Sequence, residues 1–299
     1  MRLLAKPVSA ALLILLLLAR LSAAVEPAPA KLEGDKAKRQ FLRLKRDQAD
    51  RPLSLDTAIV RCAPVGGDRR TPTVDLVAAV HIADPEYYRQ LNREFSGYDA
   101  VLYELVATDE SKTPRPESSI GNHPISLLQS GMKNLLELEF QLKGIDYTRK
   151  NMVHADMSPE QFARSMRQRG ESMTTMFARM LGYALSKPNQ SSVGSGNAQL
   201  LAALFDKNRE LALKRILAEQ FTDSDDVLAA LDGPAGSTLI SGRNQVALDV
   251  LKKELDAGKK KIAIFYGAGH MPDLLRRLRD DFALAPVSTR WLVAWDLEP

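Results

Sequence analysis

Four short apolar runs, each ending in a side chain that can bind a metal or move a proton, constrain this chain more than any other feature. Residues 74–80 precede His81, and residues 100–103 precede Glu104. Residues 151–153 precede His154 and Asp156, and residues 262–266 precede Gly267-Ala268-Gly269-His270. Runs of this length between helical patterns read as buried strands of a parallel sheet. In an open α/β sheet, ligands bind in the crevice at the carboxyl ends of the strands, where residues distant in sequence meet. Two His plus one or two carboxylates at such an edge make a plausible divalent-metal site.

The remaining pattern fits that frame. The first 24 residues carry Arg2 and Lys6, a Leu-rich apolar run and then Ser22-Ala23-Ala24. This reads as a signal peptide, so the expected location is periplasmic or secreted. The apolar run is shorter than the ~20 residues a spanning helix needs, so no stable membrane span is expected after cleavage. Residues 25–56 read as a linker followed by a peripheral helix, and residues 57–299 as the folded domain. Within the domain, strands are expected at 57–63, 73–80, 99–104, 151–155, 261–266 and 287–297. Helices are expected at 85–95, 125–143, 171–185, 198–219, 223–231, 238–257 and 271–282. Asp84-Pro85 and Ser158-Pro159 are both helix starts, each with an N-cap residue followed by a first-turn proline. The result is an α/β fold: a mostly parallel sheet flanked by helices, with a helical insert over about 158–231.

Composition narrows the function. The chain has 299 residues, 45% of them hydrophobic, which is enough for a sizeable core. Its single cysteine, Cys62, permits no internal disulfide and reads as a small buried hydrophobe. The net charge of +4 comes without zinc-finger spacing or an aromatic RNA-binding pattern, so nucleic acid is not an expected partner. The Met-rich stretch 171–185 reads as adaptable packing. Gly-x-Ser-x-Gly, His-Glu-x-x-His and Gly-x-Gly-x-x-Gly are all missing from the sequence.

The candidate site residues then follow. Gly267 and Gly269 allow a tight turn and close backbone approach, and the helix after them offers amides to an anion, so both are candidate cofactor-binding positions. His270 follows them directly. His81 alone reads equally well as a structural histidine, but the equivalent position of His270 favours function. Glu104 ends a strand too apolar to carry a carboxylate without a partner; a metal, Arg243 or a neighbouring His would serve. Asp156 either joins the site or caps the helix starting near Ser158. His154 shares its strand face and is a candidate from position alone. Arg243, with Asn244 beside it, offers a rigid fork for carboxylate or phosphate, or lies on a helix surface. His123 sits in a polar loop over 108–123 and reads as peripheral.

These motifs resemble the TraB/GumN/TIKI family, within the broader erythromycin-esterase/ChaN-like superfamily, from about residue 73 to the C-terminus. The family's second Gly-x-x-His motif is intact as Gly267-Ala268-Gly269-His270, followed by Met271-Pro272-Asp273. Its first appears as Ala78-Ala79-Val80-His81, with Ala in place of Gly. The strand-end Glu matches Glu104, and the Arg-Asn pair matches Arg243-Asn244. A Leu-Glu-Thr stretch followed by Gln is similar to Ala155-Asp156-Met157 followed by Gln161, with Asp replacing Glu. The resemblance implies two pseudo-symmetric halves with a metal site between the two His motifs. It also implies divalent-metal peptidase activity with manganese or cobalt, as in the TIKI branch.

The expectation is therefore an exported metal-dependent hydrolase acting on a peptide or small-molecule substrate, with manganese, cobalt or zinc. His81, His270, Glu104 and Asp156 would be ligands, Glu104 alternatively a general base, and Asp156 alternatively an acceptor for a His N–H. Arg243 would hold a substrate carboxylate or the anionic intermediate, and Asn244 would orient it. The alternatives are a non-enzymatic haem- or metal-binding envelope protein, with His81 or His270 as axial ligand near Tyr103 or Tyr266, and a scaffold whose site has decayed.

Overall fold

Period-two alternation in the central strands builds the sheet. In β3 (Thr73–Ala79), Val74, Leu76 and Ala78 face one side, while Val77 and Ala79 face the other. β8 (Lys261–Gly267) splits in the same way, with Ile262, Ile264 and Tyr266 opposite Ala263 and Phe265. Both sets are buried, so the strands read as continuous apolar runs, as expected for a parallel sheet covered on both faces. The structure is a computed structural model that describes residues 41–66, 71–108, 138–172, 175, 203, 206, 208–223, 232 and 236–299.

The principal sheet is mixed and seven-stranded. Its parallel part runs β3–β8–β5–β7, with β5 at Ala100–Tyr103 and β7 at Met152–His154. Its antiparallel part centres on β2 (Pro52–Pro64). β2 pairs along one edge with β1 (Leu42–Arg46) and β3, and along the other with β9 (Leu284–Asp296). β4 (Ile82–Ala83) and β6 (Glu139–Phe140) form a separate two-stranded ribbon. The α/β architecture with parallel strands flanked by helices is as the sequence pattern predicts. The stretch 41–56 is not: it forms β1 and the start of β2 instead of a helix.

Helix α1 (Pro85–Phe95) packs Tyr87, Tyr88, Leu91 and Phe95 on one sheet face, and Phe95 meets Phe265 edge-on at 4.9 Å. A short α2 (Gln141–Gly144) follows β6, and α3 (Pro159–Gln168) opens on a Ser158/Gln161 capping box. α4 (Arg209–Asp223) lies beside β1. α5 (Arg243–Asp256) and α6 (Met271–Phe282) cover the opposite sheet face through Ala247, Leu248, Leu251, Leu274, Leu275 and Leu278. No described helix is long and apolar enough to cross a membrane. The expected helix 125–143 is also not continuous, since Glu139–Phe140 is a strand; its residues 125–137, the expected signal peptide, residues 109–123 of the loop with His123, most of the Met-rich stretch and residues 224–231 lie outside the described residues.

Candidate active site at the parallel strand ends

All four parallel strands deliver their carboxyl ends to one edge. Glu104 follows β5 by one residue, His81 follows β3 by two, and Asp156 follows β7 by two. β8 runs into Gly267 and a 3-10 turn, Ala268–His270, that leads straight into α6. The opposite wall is Arg243-Asn244 at the start of α5, aimed by a π-helical turn at Thr238–Gly242. π-turns recur where a helix must present a side chain out of α register. This one is fixed by Gly242 N–H donating to the Ser237 carbonyl at 2.8 Å and by Thr238 N–H donating to the Glu171 carboxylate at 3.0 Å.

Glu104 is at the centre of the cluster, its side chain 9% exposed. Its Oε2 accepts the Gly267 N–H at 2.7 Å, and its Oε1 lies 2.8 Å from Arg243 Nη2 and 3.6 Å from His270 Nε2. Burial pushes its pKa up. The charges of His270, Arg243 and His81, with the Gly267 amide, outweigh that and hold it at about 2. Arg243 is the permanent charge among these, because burial lowers the His270 pKa and keeps that ring neutral at neutral pH.

His270 is buried, and its tautomer follows from its neighbours. The Asn244 Nδ2 donates to the His270 carbonyl at 3.2 Å and to Asp273 Oδ2 at 2.9 Å, two groups that act here only as acceptors. That fixes the amide with Oδ1 toward His270 Nδ1, 2.7 Å away. Nδ1 must then carry the hydrogen, which leaves the Nε2 lone pair facing Glu104. Asn244 therefore orients His270, where the sequence suggested a substrate group. Tyr266 packs edge-on to the ring at 5.2 Å and donates its hydroxyl to the Ala155 carbonyl.

His81 is exposed at the rim. Its Nδ1 lies 3.1 Å from Gln141 Oε1, and its carbonyl accepts the Gln141 N–H at 2.9 Å. The Gln141 amide in turn donates to the Tyr147 hydroxyl at 3.0 Å. Neither Gln141 nor Tyr147 carries a sequence signal; what brings them here is the β4–β6 ribbon, which pairs Ile82 with Phe140. The three candidate donors ring one α-carbon: a methyl on Gly267 would lie 3.4 Å from Glu104 Oε2, 3.7 Å from His81 Nε2 and 3.8 Å from His270 Cδ2. Among the described residues no three acidic, imidazole or thiol groups already stand at metal-ligand spacing.

Asp156 and Arg243 pair with each other. Asp156 spends both oxygens on Arg243, accepting from Nε at 2.9 Å and Nη2 at 2.5 Å, and its Oδ1 also accepts the Met157 N–H. It anchors the guanidinium, and the cap of α3 is Ser158. Arg243 is thereby clamped between Asp156 and Glu104. Burial lowers its pKa, but the Asp156 hydrogen bonds and the two carboxylate charges more than reverse this. His154 lies apart, its Nε2 2.6 Å from the Leu105 carbonyl and its ring edge-on to Tyr103. Gly269 sits within the 3-10 turn that carries His270. Set against known proteins, the chain matches no protein-family model and no curated protein.

Proposed function

We propose that the strand-end cluster is the active site of an exported, divalent-metal-dependent hydrolase, with peptide bonds as the first substrate class to test. The observation that carries this reading is the convergence of the His81 and His270 imidazoles and one ionised carboxylate around Gly267. The donor chemistry fits a divalent ion. His270 is neutral with its lone pair inward, and Glu104 keeps its charge across the physiological range. The ring has to tighten on such an ion, and Arg243 is the cation that already competes for Glu104.

His81, His270 and Glu104 would hold the ion. When bound, it lowers the pKa of a water toward neutrality and polarises a carbonyl. The chain's own groups supply the rest. Gly267 N–H and Arg243 fix the rotamer of Glu104, and Asn244 and Asp273 fix His270. A carboxylate held at about 2 is a weak base at neutral pH, so Glu104 acts as ligand and orienter rather than as general base. This reading retains the likeness to TraB/GumN/TIKI proteins as part of the proposal. The haem alternative draws no support from its two tyrosines: the Tyr266 hydroxyl is bonded to Ala155, and Tyr103 is packed against Tyr147 and His154.

The test is turnover of peptide and ester panels by purified protein supplied with manganese, cobalt or zinc, beside His81→Ala and His270→Ala. Metal-dependent turnover lost in each variant supports the reading. Turnover retained in either variant sinks it.

A further inference from the structure

The two histidines are held by the same device built from unrelated parts. His270 Nδ1 faces the amide oxygen of Asn244, on α5, and His81 Nδ1 faces the amide oxygen of Gln141, on α2. Gln141 is buried, and each of its polar groups has a partner: Oε1 on His81, Nε2 on Tyr147 and the backbone N–H on the His81 carbonyl. A buried amide with every group engaged is costly to rotate or remove. Tyr147 is also buried, against the Tyr103 ring at 4.9 Å.

We propose that Gln141, braced by Tyr147, is a positioning residue that fixes His81 in the Nδ1–H tautomer, so that its Nε2 lone pair faces Glu104 and Gly267. A metal-binding histidine commonly has its second nitrogen anchored in this way, and loss of the anchor costs about 10–100-fold in affinity. The acceptor here is a neutral amide instead of the usual carboxylate or backbone carbonyl. It orients the ring without adding a negative charge that would favour imidazolium. The opposite arrangement, with the Gln141 amide turned over and Tyr147 donating to its oxygen, would leave His81 as the Nε2–H tautomer with no lone pair to offer. The two arrangements are therefore distinguishable in the protein itself. The inference rests on the proposed metal site for its purpose, but the tautomer can be read without metal or substrate.

The measurement is the nitrogen and carbon-bound proton correlation spectrum of the histidine rings in the metal-free full chain. It is taken at about pH 8, above the ordinary histidine pKa of ~6.5. His81 is expected as Nδ1–H in the wild type, to keep its Nδ1 hydrogen in Gln141→Glu, which retains an oxygen acceptor, and to lose that preference in Gln141→Leu. His270 should not change in either variant, which also reports that they are folded. Zinc affinity should fall roughly 10–100-fold in Gln141→Leu and by much less in Gln141→Glu. An Nε2–H tautomer for His81 in the wild type, or no tautomer change in folded Gln141→Leu, would overturn the assignment. A wild type with the expected tautomer but no affinity for zinc, manganese or cobalt would leave the positioning role standing and remove the metal function instead.

Discussion

Replacing Glu104 by Gln tests the electrostatics of the site with a change of almost no volume. Both carboxylate oxygens face donors, the Gly267 N–H at 2.7 Å and Arg243 Nη2 at 2.8 Å. A glutamine has only one oxygen, so its NH2 must be turned toward one of those donors. Leaving a buried donor unpaired costs about 1–3 kcal/mol, more when it is charged. The pKa gives a second, independent figure. A fall from the ordinary 4.5 to about 2 corresponds to on the order of 3 kcal/mol of stability. The side chain is almost wholly buried, so solvent screening takes little from it. At neutral pH His270 is uncharged and its share of that figure is absent, so the expected loss in Glu104→Gln there is about 1–3 kcal/mol. The sign with pH follows from the direction of the shift. A carboxyl with a lowered folded-state pKa stabilises the fold fully above ~4.5, and that stabilisation is lost as pH falls through about 2. Urea denaturation of both proteins from neutral pH downward should therefore show a gap that closes as the pH falls from ~4.5 through about 2. A gap independent of pH, or a variant as stable as the wild type at neutral pH, would mean that the Glu104 charge does not stabilise the fold. A more stable variant would mean that repulsion between Glu104 and Asp156 outweighs their shared attraction to Arg243.

Three further outcomes are expected. Gly267→Ala should fold with stability within about 1 kcal/mol of wild type, because its φ of −52° suits alanine and the added methyl meets only ordinary contacts. The same methyl touches all three donor side chains, so metal affinity measured by calorimetry should fall at least ~10-fold. Ala283 ends α6 in the left-handed region at φ 54°, on the exposed surface, so Ala283→Gly should raise the denaturation midpoint by the equivalent of about 1 kcal/mol. Burial pushes the Cys62 thiol up to about 12, so the native protein should resist thiol-labelling reagents that modify it at once in denaturant.

The parallel strands were legible because burial on both faces makes them apolar runs, and the glycines and polar residues that follow mark their ends. That much placed His81, Glu104, Asp156 and His270 at one edge. What the sequence hid was who pairs with whom. Asp84 has the position of an N-cap before Pro85, yet its carboxylate is taken by Lys214 and by the Asp296 amide, partners more than a hundred residues away. Asp156 looked equally able to bind a metal or cap a helix. Its true partner, Arg243, comes 87 residues later and could not be chosen from spacing. Leu42–Arg46 alternates leucine with arginine and lysine, an edge-strand pattern that its charge disguised as a solvated helix. Gln141 and Tyr147 carry no motif at all; they matter only because a two-residue ribbon folds them back onto His81.

Everything proposed for the strand-end cluster depends on two histidines and Glu104 holding a divalent ion. The most direct measurement is metal analysis of the protein purified without chelator, beside the His81→Ala/His270→Ala double variant. Close to one metal ion per chain is expected in the wild type and none in the double variant. A wild type that takes up no manganese, cobalt or zinc on reconstitution, or a double variant that keeps its metal, would contradict it.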